Sequence, residues 1–278
     1  MQSKPQMTPH FRQTRPTTAP KDDELTDQGP ALAPHLGRAV DPWVLLRTCI
    51  IIPAFNEGGS VADVVRSVHA AMPGAAVVVV NDGSTDDTAL QAKQAGAVVI
   101  TLPVNLGIGG AVQTGYRFAL HNGFDVAMQI DGDGQHDPSE AVRLFGPLVA
   151  GRADMVIGSR WLGRGDYVAP PSRRFGMRIL ARLVCWRAGG VFTDTTSGFR
   201  AVGQQGIQLF ADDYPTDFPE VETLVMASRD GLRIEEAPVR MTHRQHGRSS
   251  IAGLNSAYYM LRVILALLVG SPGRRSSS

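Results

Sequence analysis

Three aspartates fall within seven residues in QIDGDGQHDP (Gln129–Pro138): Asp131, Asp133 and Asp137. They follow the apolar run VAMQI, which reads as a buried strand. Asp131 and Asp133 would repel each other if both were ionised and unpaired in a tight loop. A divalent cation removes that repulsion, and a ligand set made only of oxygen favours Mg2+ or Mn2+ over zinc. A calcium EF-hand is a poor match: counting from Asp131, the sixth position is His136 rather than Gly and the twelfth is Val142 rather than Glu. An aspartyl-nucleophile phosphatase also sets Asp-x-Asp after an apolar strand. That class expects a small Thr or Val soon after the second Asp, and Gln135 and His136 follow here. Structural Asp-Gly turns are common, so the pair alone decides nothing.

Two more polar loops follow apolar runs. PAFNE (Pro53–Glu57) comes after TCIII, and NDGSTDDT (Asn81–Thr88) comes after AVVVV. Strand-like runs at Thr48–Ile52, Ala76–Val80, Ala97–Ile100, Val126–Ile130 and Asp154–Gly158 alternate with helix-like stretches at Ser60–Ala71, Asp86–Ala95, Gly110–His121 and Ser139–Val149. Near-continuous apolar strands between amphipathic helices predict an α/β fold with a mostly parallel sheet covered on both faces. Ligands of such sheets bind at the carboxyl ends of the strands, so the three polar loops should gather on one edge. In NDGSTDDT, Ser84 or Thr85 reads as a helix N-cap, with Asp86 and Asp87 in the first turn. That reading leaves Asp82 without a task.

The remaining composition sets bounds. A chain of 278 residues with 43% hydrophobic and 19% charged residues can bury a sizeable core. A net charge of +1 gives no electrostatic case for nucleic acid as a partner. Cys49 and Cys185 lack metal-type spacing, and Cys49 reads as a small hydrophobe in a strand. Residues 1–45, rich in Pro, Thr and Gln, and residues 271–278 read as disordered tails. No apolar segment follows Met1 as a signal peptide would require.

The ordered set IIPAFNE, VVVVNDGSTDDT, NLGIGGAVQTGY, QIDGDGQHDP, VIGSRWLGRG, DTTSGFRA and HRQHGRSS closely resembles inverting family 2 glycosyltransferases. The nearest branch in pattern is that of dolichyl-phosphate mannose synthases and polyprenyl-phosphate glycosyltransferases. The resemblance runs from about Thr48 to Ser250 and implies one GT-A type, Rossmann-like nucleotide-sugar-binding domain over residues 46–249. It implies that Pro53, Ala54, Glu57 and Asp82 hold base and ribose. It also implies that Asp131, Asp133 and Gln135 bind the Mg2+ or Mn2+ bridging the donor diphosphate, where the charge argument already asked for a cation. His136 is either a supporting neighbour of that cation or a locally bonded loop histidine.

A lipid-phosphate acceptor, which the resemblance implies, needs cationic groups, and the Arg fork suits phosphate. Ser159 and Arg160 in GSR follow a strand directly; Arg160 is placed on the acceptor. PSRRFGMR offers Arg173, Arg174 and Arg178, although the branch's Arg followed four residues later by Ser meets Met177 and Arg178 here. Ser197 and Arg200 of SGFR, with Arg244 and Ser249 of HRQHGRSS, are expected to close over the diphosphate. NLGIGG offers backbone N–H groups and a helix start to phosphate. Asp133, Arg160 and Arg200 are the expected catalytic residues.

The expected reaction is transfer of a sugar from a nucleotide sugar of GDP-mannose or UDP-glucose type to polyprenyl phosphate, with inversion. A phosphate monoester has a second pKa of about 6 and needs no base to become a nucleophile. A sugar hydroxyl would need one, and Glu220 or Glu222 in FPEVET are candidates, though both also read as the first turn of a helix. The alternatives are a transferase extending a saccharide or small acceptor, and a non-catalytic nucleotide-sugar-binding subunit of a membrane complex. Residues 250–270 (SIAGLNSAYYMLRVILALLVG) contain an apolar run too short for the roughly 20 residues of a spanning helix. They are expected to form an interfacial helix that makes the protein peripheral on the cytoplasmic face of the membrane, with a separate membrane subunit as a further partner; a helix packed on the domain's own core is the alternative.

Overall fold

The computed structural model describes residues 46–162 and 171–241, with 171–179 as backbone only. The two expected tails, the expected C-terminal helix, Arg244 and Ser249 lie outside the described residues.

Strand β1 (Thr48–Ala54) is buried along its whole length. It pairs in parallel with β2 (Ala76–Asn81) on one side and β4 (Val126–Gln129) on the other. β2 pairs in parallel with β3 (Val98–Thr101). Past β4 come β6 (Arg200–Gly203), β5 (Met155–Ser159) and the outer strand β7 (Ile234–Pro238), giving the order β3-β2-β1-β4-β6-β5-β7. β6 runs antiparallel to both neighbours and is the one exception in a mostly parallel sheet.

Among the described residues seven α-helices flank the strands: α1 (Val61–Ala71), α2 (Thr88–Gln94), α3 (Gly107–His121), α4 (Ala141–Val149), α5 (Pro171–Ala188), α6 (Gln204–Asp212) and α7 (Pro219–Arg229). The two-residue alternation of β1 divides the core. Ile50 and Ile52 join Val61, Val64, Val65 and Val68 of α1 and Leu144 and Phe145 of α4. Cys49 and Ile51 face Ala111, Val112 and Tyr116 of α3, with Phe210 of α6 and Leu224 of α7 beyond. The four valines of α1 at i, i+3, i+4 and i+7 form one buried stripe, so packing rather than propensity makes VADVVRSVHAA helical. Cys49 is a core hydrophobe, as expected, and burial pushes its thiol up to about 12.

Some boundaries differ from the sequence reading. α3 begins at Gly107 instead of Gly110, so the glycine-rich stretch is itself the helix's first turn. α2 begins only at Thr88, with Asp87 in the N-cap position. Ser84 and Thr85 are therefore not N-caps; they bond to a neighbouring loop, as described below. No described helix is long and apolar enough to cross a membrane.

Candidate active site

The loop after β1 folds onto the loop after β2. Asn56, the one described non-glycine residue with positive φ (54°), donates its N–H to Ser84 Oγ at 2.9 Å and accepts the Thr85 N–H on Oδ1 at 2.9 Å. Asparagine tolerates the left-handed region better than most residues, which fits this position. Glu57 N–H donates to Thr88 Oγ1 (2.9 Å) and Gly58 N–H to Asp86 Oδ2 (3.0 Å). Asp86 Oδ1 also accepts the Thr88 N–H and hydroxyl. The polar residues of NDGSTDDT are thus occupied in fastening two loops together.

Asp82, left without a task by the sequence reading, is buried and accepts the Leu106 N–H on Oδ1 at 2.7 Å. Leu106 is the N-cap of α3, so a carboxylate sits where the helix dipole favours negative charge. Ser60 Oγ lies 2.9 Å from Glu57 Oε2 and 2.8 Å from the Gly132 carbonyl, tying the first loop to the third. The three loops thus converge on one edge, as the parallel strands required. Pro53 and Ala54 end β1 at that edge, with Asp82 N–H donating to the Ala54 carbonyl at 2.9 Å.

Within the third loop, the Asp131–Asp133 charge is met by protein donors. Gln129 Nε2 lies 3.2 Å from Asp131 Oδ1. His136 Nδ1 accepts the Asp131 N–H at 3.0 Å, which leaves Nε2 to carry the proton of the neutral ring; Nε2 is 3.6 Å from Asp131 Oδ2. The ring itself is buried and stacks on Phe199 with centroids 5.0 Å apart. His136 is therefore both a locally bonded loop histidine and a neighbour of Asp131. Asp133 is buried, and its Oδ1 accepts the Gln135 N–H at 2.9 Å.

Antiparallel β6 brings a fourth segment to this edge. Arg200 stands opposite Gln129, so the chain entering β6 arrives at the carboxyl end of β4. A methyl group on Gly198 would lie 2.9 and 3.0 Å from the two Asp131 carboxylate oxygens, so glycine there leaves the room that the carboxylate occupies. Among the described residues no group of three His, Cys, Asp or Glu side chains stands ready to hold a metal. Two carboxylates and an amide oxygen nevertheless fit Mg2+ or Mn2+, which are commonly held by one or two carboxylates with water and substrate phosphates completing the shell. Asp131, Asp133 and Gln135 are the residues that would hold such an ion.

The two expected arginines occupy different settings. Arg160 follows β5, and its fork meets buried Asp194: Nε to Oδ2 and Nη2 to Oδ1, both 2.7 Å, with Thr196 Oγ1 2.8 Å from Nη2. Arg200 is 2% exposed. It donates to the Ser197 carbonyl (2.6 Å), Thr223 Oγ1 (2.5 Å) and the Glu220 carbonyl. All three of these contacts are to oxygens of the protein itself. Glu220 and Glu222 fall in the first turn of α7, as the sequence reading allowed. Burial raises the Glu220 carboxyl above its ordinary range; Arg200 opposes that shift and the negative charge of Asp131 adds to it.

Gln129, Asp194 and Glu236 were not singled out in the sequence. A polar residue inside the apolar run VAMQI was the signal for Gln129, and the acidic residue of DTTSGFR was the signal for Asp194. Glu236, on β7, accepts the backbone N–H groups of Thr193 and Asp194, a contact that only the tertiary structure reveals.

An α/β sheet of this topology, with paired carboxylates after β4 and an antiparallel strand returning beside them, has the architecture of GT-A type sugar-nucleotide transferases. The chain belongs to glycosyl transferase family 2, whose sequence profile matches residues 49–203. It is 32% identical over 227 residues to a polyprenol monophosphomannose synthase of Mycolicibacterium smegmatis, covering 78% of this chain and 85% of that protein. Over 225 residues it is 31% identical to an undecaprenyl-phosphate mannosyltransferase of Micrococcus luteus, covering 75% and 88%. Among solved structures, glucosyl-3-phosphoglycerate synthase from Mycobacterium tuberculosis in complex with Mn2+, uridine diphosphate and phosphoglyceric acid shares the fold. Its TM-score is 0.62 at 21% identity, covering 82% of this chain and 79% of that one.

Proposed function

We propose that this glycosyltransferase moves a hexose from a nucleotide sugar of GDP-mannose or UDP-glucose type to a polyprenyl phosphate, inverting the anomeric centre in one displacement. The observation that carries this reading is the meeting at one sheet edge of the Asp131–Asp133 pair with Arg160 and the loop before Arg200. The names of the two relatives support the choice of acceptor.

The loops after β1 and β2, with Pro53, Ala54, Glu57 and Asp82, hold the nucleotide. Asp131, Asp133 and Gln135 would hold Mg2+ or Mn2+, which would supply positive charge to offset that of the diphosphate. Arg160 orients the acceptor phosphate, and the buried positive charge of Arg200 favours anions nearby. Arg244 and Ser249 are proposed to close over the diphosphate. No side chain has to deprotonate the acceptor, because a phosphate monoester with a second pKa of about 6 is already ionised at neutral pH. The chain's work is alignment and charge stabilisation.

A lipid acceptor requires a membrane surface. α5 carries five arginines and no acidic residue in its 18 positions. Among its described side chains, Arg182 and Trp186 stand one turn apart and both are exposed. Trp186 is 70% exposed and Val191 just beyond it 88% exposed, a pairing suited to an anionic headgroup layer. Peripheral attachment through this face is part of the proposal, alongside the interfacial helix expected at residues 250–270.

A second reading, transfer to a hydroxyl of a saccharide or small acceptor, is favoured by one observation. Glu220 stands in the first turn of α7 where burial, with a smaller contribution from the charge of Asp131, holds its carboxyl above the ordinary range, as suits a base near the donor. Incubation with labelled nucleotide sugars and polyprenyl phosphate, followed by solvent extraction, separates the two. Label in the organic phase, retained in a Glu220→Gln variant, supports the lipid phosphate. Label found only in water-soluble product, and lost in that variant, supports the hydroxyl.

A further inference from the structure

β7 carries two adjacent glutamates, and strand alternation sends them to opposite faces. Glu235 reaches Arg152 at 3.3 and 3.4 Å near solvent. Glu236 instead collects a set of donors from the segment that precedes β6. Thr193 N–H lies 3.0 and 2.8 Å from its two oxygens, Thr193 Oγ1 3.0 Å from Oε2, and Asp194 N–H 2.8 Å from Oε1. Successive amides aimed at one anion form a nest, and hydrogen bonds to an ionised acceptor are about twice as strong as neutral ones.

The hydroxyl protons have fixed directions. An ionised carboxylate only accepts, so Thr193 Oγ1 donates to Glu236 and accepts from Ser159 Oγ at 2.7 Å. Ser159 Oγ in turn accepts the Trp161 N–H at 3.2 Å. The residues on either side of Arg160 are thereby tied to the peptide that Glu236 grips.

That peptide carries Asp194, which is fully buried and spends both carboxylate oxygens on Arg160, including its backbone N–H at 3.1 Å. An arginine side chain gives up rotamer entropy when held in one geometry, so a preformed partner matters for its aim. We propose that Glu236 is a positioning residue for Arg160. It clamps the Thr193–Asp194 peptide, the peptide fixes the Asp194 carboxylate, and the carboxylate fixes the guanidinium on the acceptor side of the site. Only the identity of the anion that Arg160 orients rests on the proposed lipid-phosphate acceptor.

Glu236→Gln keeps the size of the side chain but replaces one acceptor oxygen with an NH2 facing backbone donors. The Arg160 Nε–H proton, assigned by NMR from its loss in Arg160→Lys, reports the clamp without any substrate. In Glu236→Gln it is expected to shift and to exchange with water about tenfold faster, the loss of roughly one charge-assisted hydrogen bond. In steady state the KM for polyprenyl phosphate should rise about tenfold while the KM for the nucleotide sugar stays within about twofold. Glu236→Asp should recover part of the loss. In an Arg160→Lys background Glu236→Gln should cost nothing more, because the two act in series. An unchanged Arg160 Nε–H in folded Glu236→Gln overturns the proposal, as do independent, multiplying effects of the two substitutions. If Glu236→Gln fails to fold, the same proton is read in Glu236→Asp, where an unchanged signal also overturns it. Failure of the wild type to glycosylate polyprenyl phosphate would overturn the acceptor and leave the NMR result to decide the clamp.

Discussion

Gly198 lies against Asp131 across the β4–β6 junction, with room for a hydrogen where a methyl group would meet both carboxylate oxygens at 2.9 and 3.0 Å. Gly198→Ala should therefore turn the Asp131 carboxylate away from Gln129 and weaken cation binding, while the core strands keep their pairing. The expected result is a rise of about tenfold or more in the Mn2+ concentration giving half-maximal transfer, the scale seen when groups orienting a metal ligand are lost. A variant with wild-type Mn2+ dependence would show that Asp131 does not need this space.

Arg160→Lys keeps the charge but loses the two-pronged match to Asp194 and the reach to Thr196. The acceptor KM should rise by about tenfold or more, with donor affinity little changed. Lysine is the better probe than alanine, because alanine would leave Asp194 buried and unpaired. A loss confined to donor affinity would move Arg160 to the other substrate.

Arg200→Met should be costly to the fold. It leaves the Thr223 hydroxyl and the carbonyls of Ser197 and Glu220 without their donor in a buried site. Each such loss costs roughly 1–3 kcal/mol, so a total of about 3 kcal/mol or more is expected in chemical denaturation. Near-wild-type stability would mean that Arg200 serves ligand binding alone.

These arginines show where the sequence was legible and where it was not. Strands β1 and β2 announce themselves through Ile and Val runs, β4 through the apolar VAMQI, and α1 through valines at helical spacing. Parallel pairing then fixes which loops meet, so the convergence of PAFNE, NDGSTDDT and DGDGQHD follows from sequence alone. β6 is only RAVG, four residues containing an arginine and a glycine, and nothing local reveals that it runs antiparallel. The burial of Arg200, the pairing of Arg160 with Asp194 and the grip of Glu236 all depend on that reversed strand or on its neighbours. Ser84 and Thr85 look like helix caps because capping is the commonest local use of such residues. A neighbouring loop bearing Asn56 offered them other partners.

The Asp154–Arg233 pair gives a pH signature away from the site. Arg233 donates to Asp154 from Nε (2.9 Å), Nη2 (2.8 Å) and its backbone N–H (2.9 Å), joining the starts of β5 and β7. The side-chain hydrogen bond from Arg233 leads in holding the Asp154 carboxyl below its ordinary range. A depressed folded-state pKa means that the contribution is present above the unfolded value of about 3.9 and is lost as pH falls through the folded one. Asp154→Asn should lower Tm at neutral pH, and the gap to wild type should close as the solution is acidified below that range. A gap that widens in acid would contradict the assignment.

Cation-dependent transfer of sugar to a lipid phosphate at the Asp131–Asp133 loop, as proposed, is read from the initial rate of lipid-linked sugar formation. It is measured with Mn2+ or Mg2+, in excess EDTA, and with Asp133→Ala. The rate should require the cation, recover when the cation is returned, and vanish in a folded Asp133→Ala protein. Equal rates with cation and in EDTA, or full activity in Asp133→Ala, would contradict it.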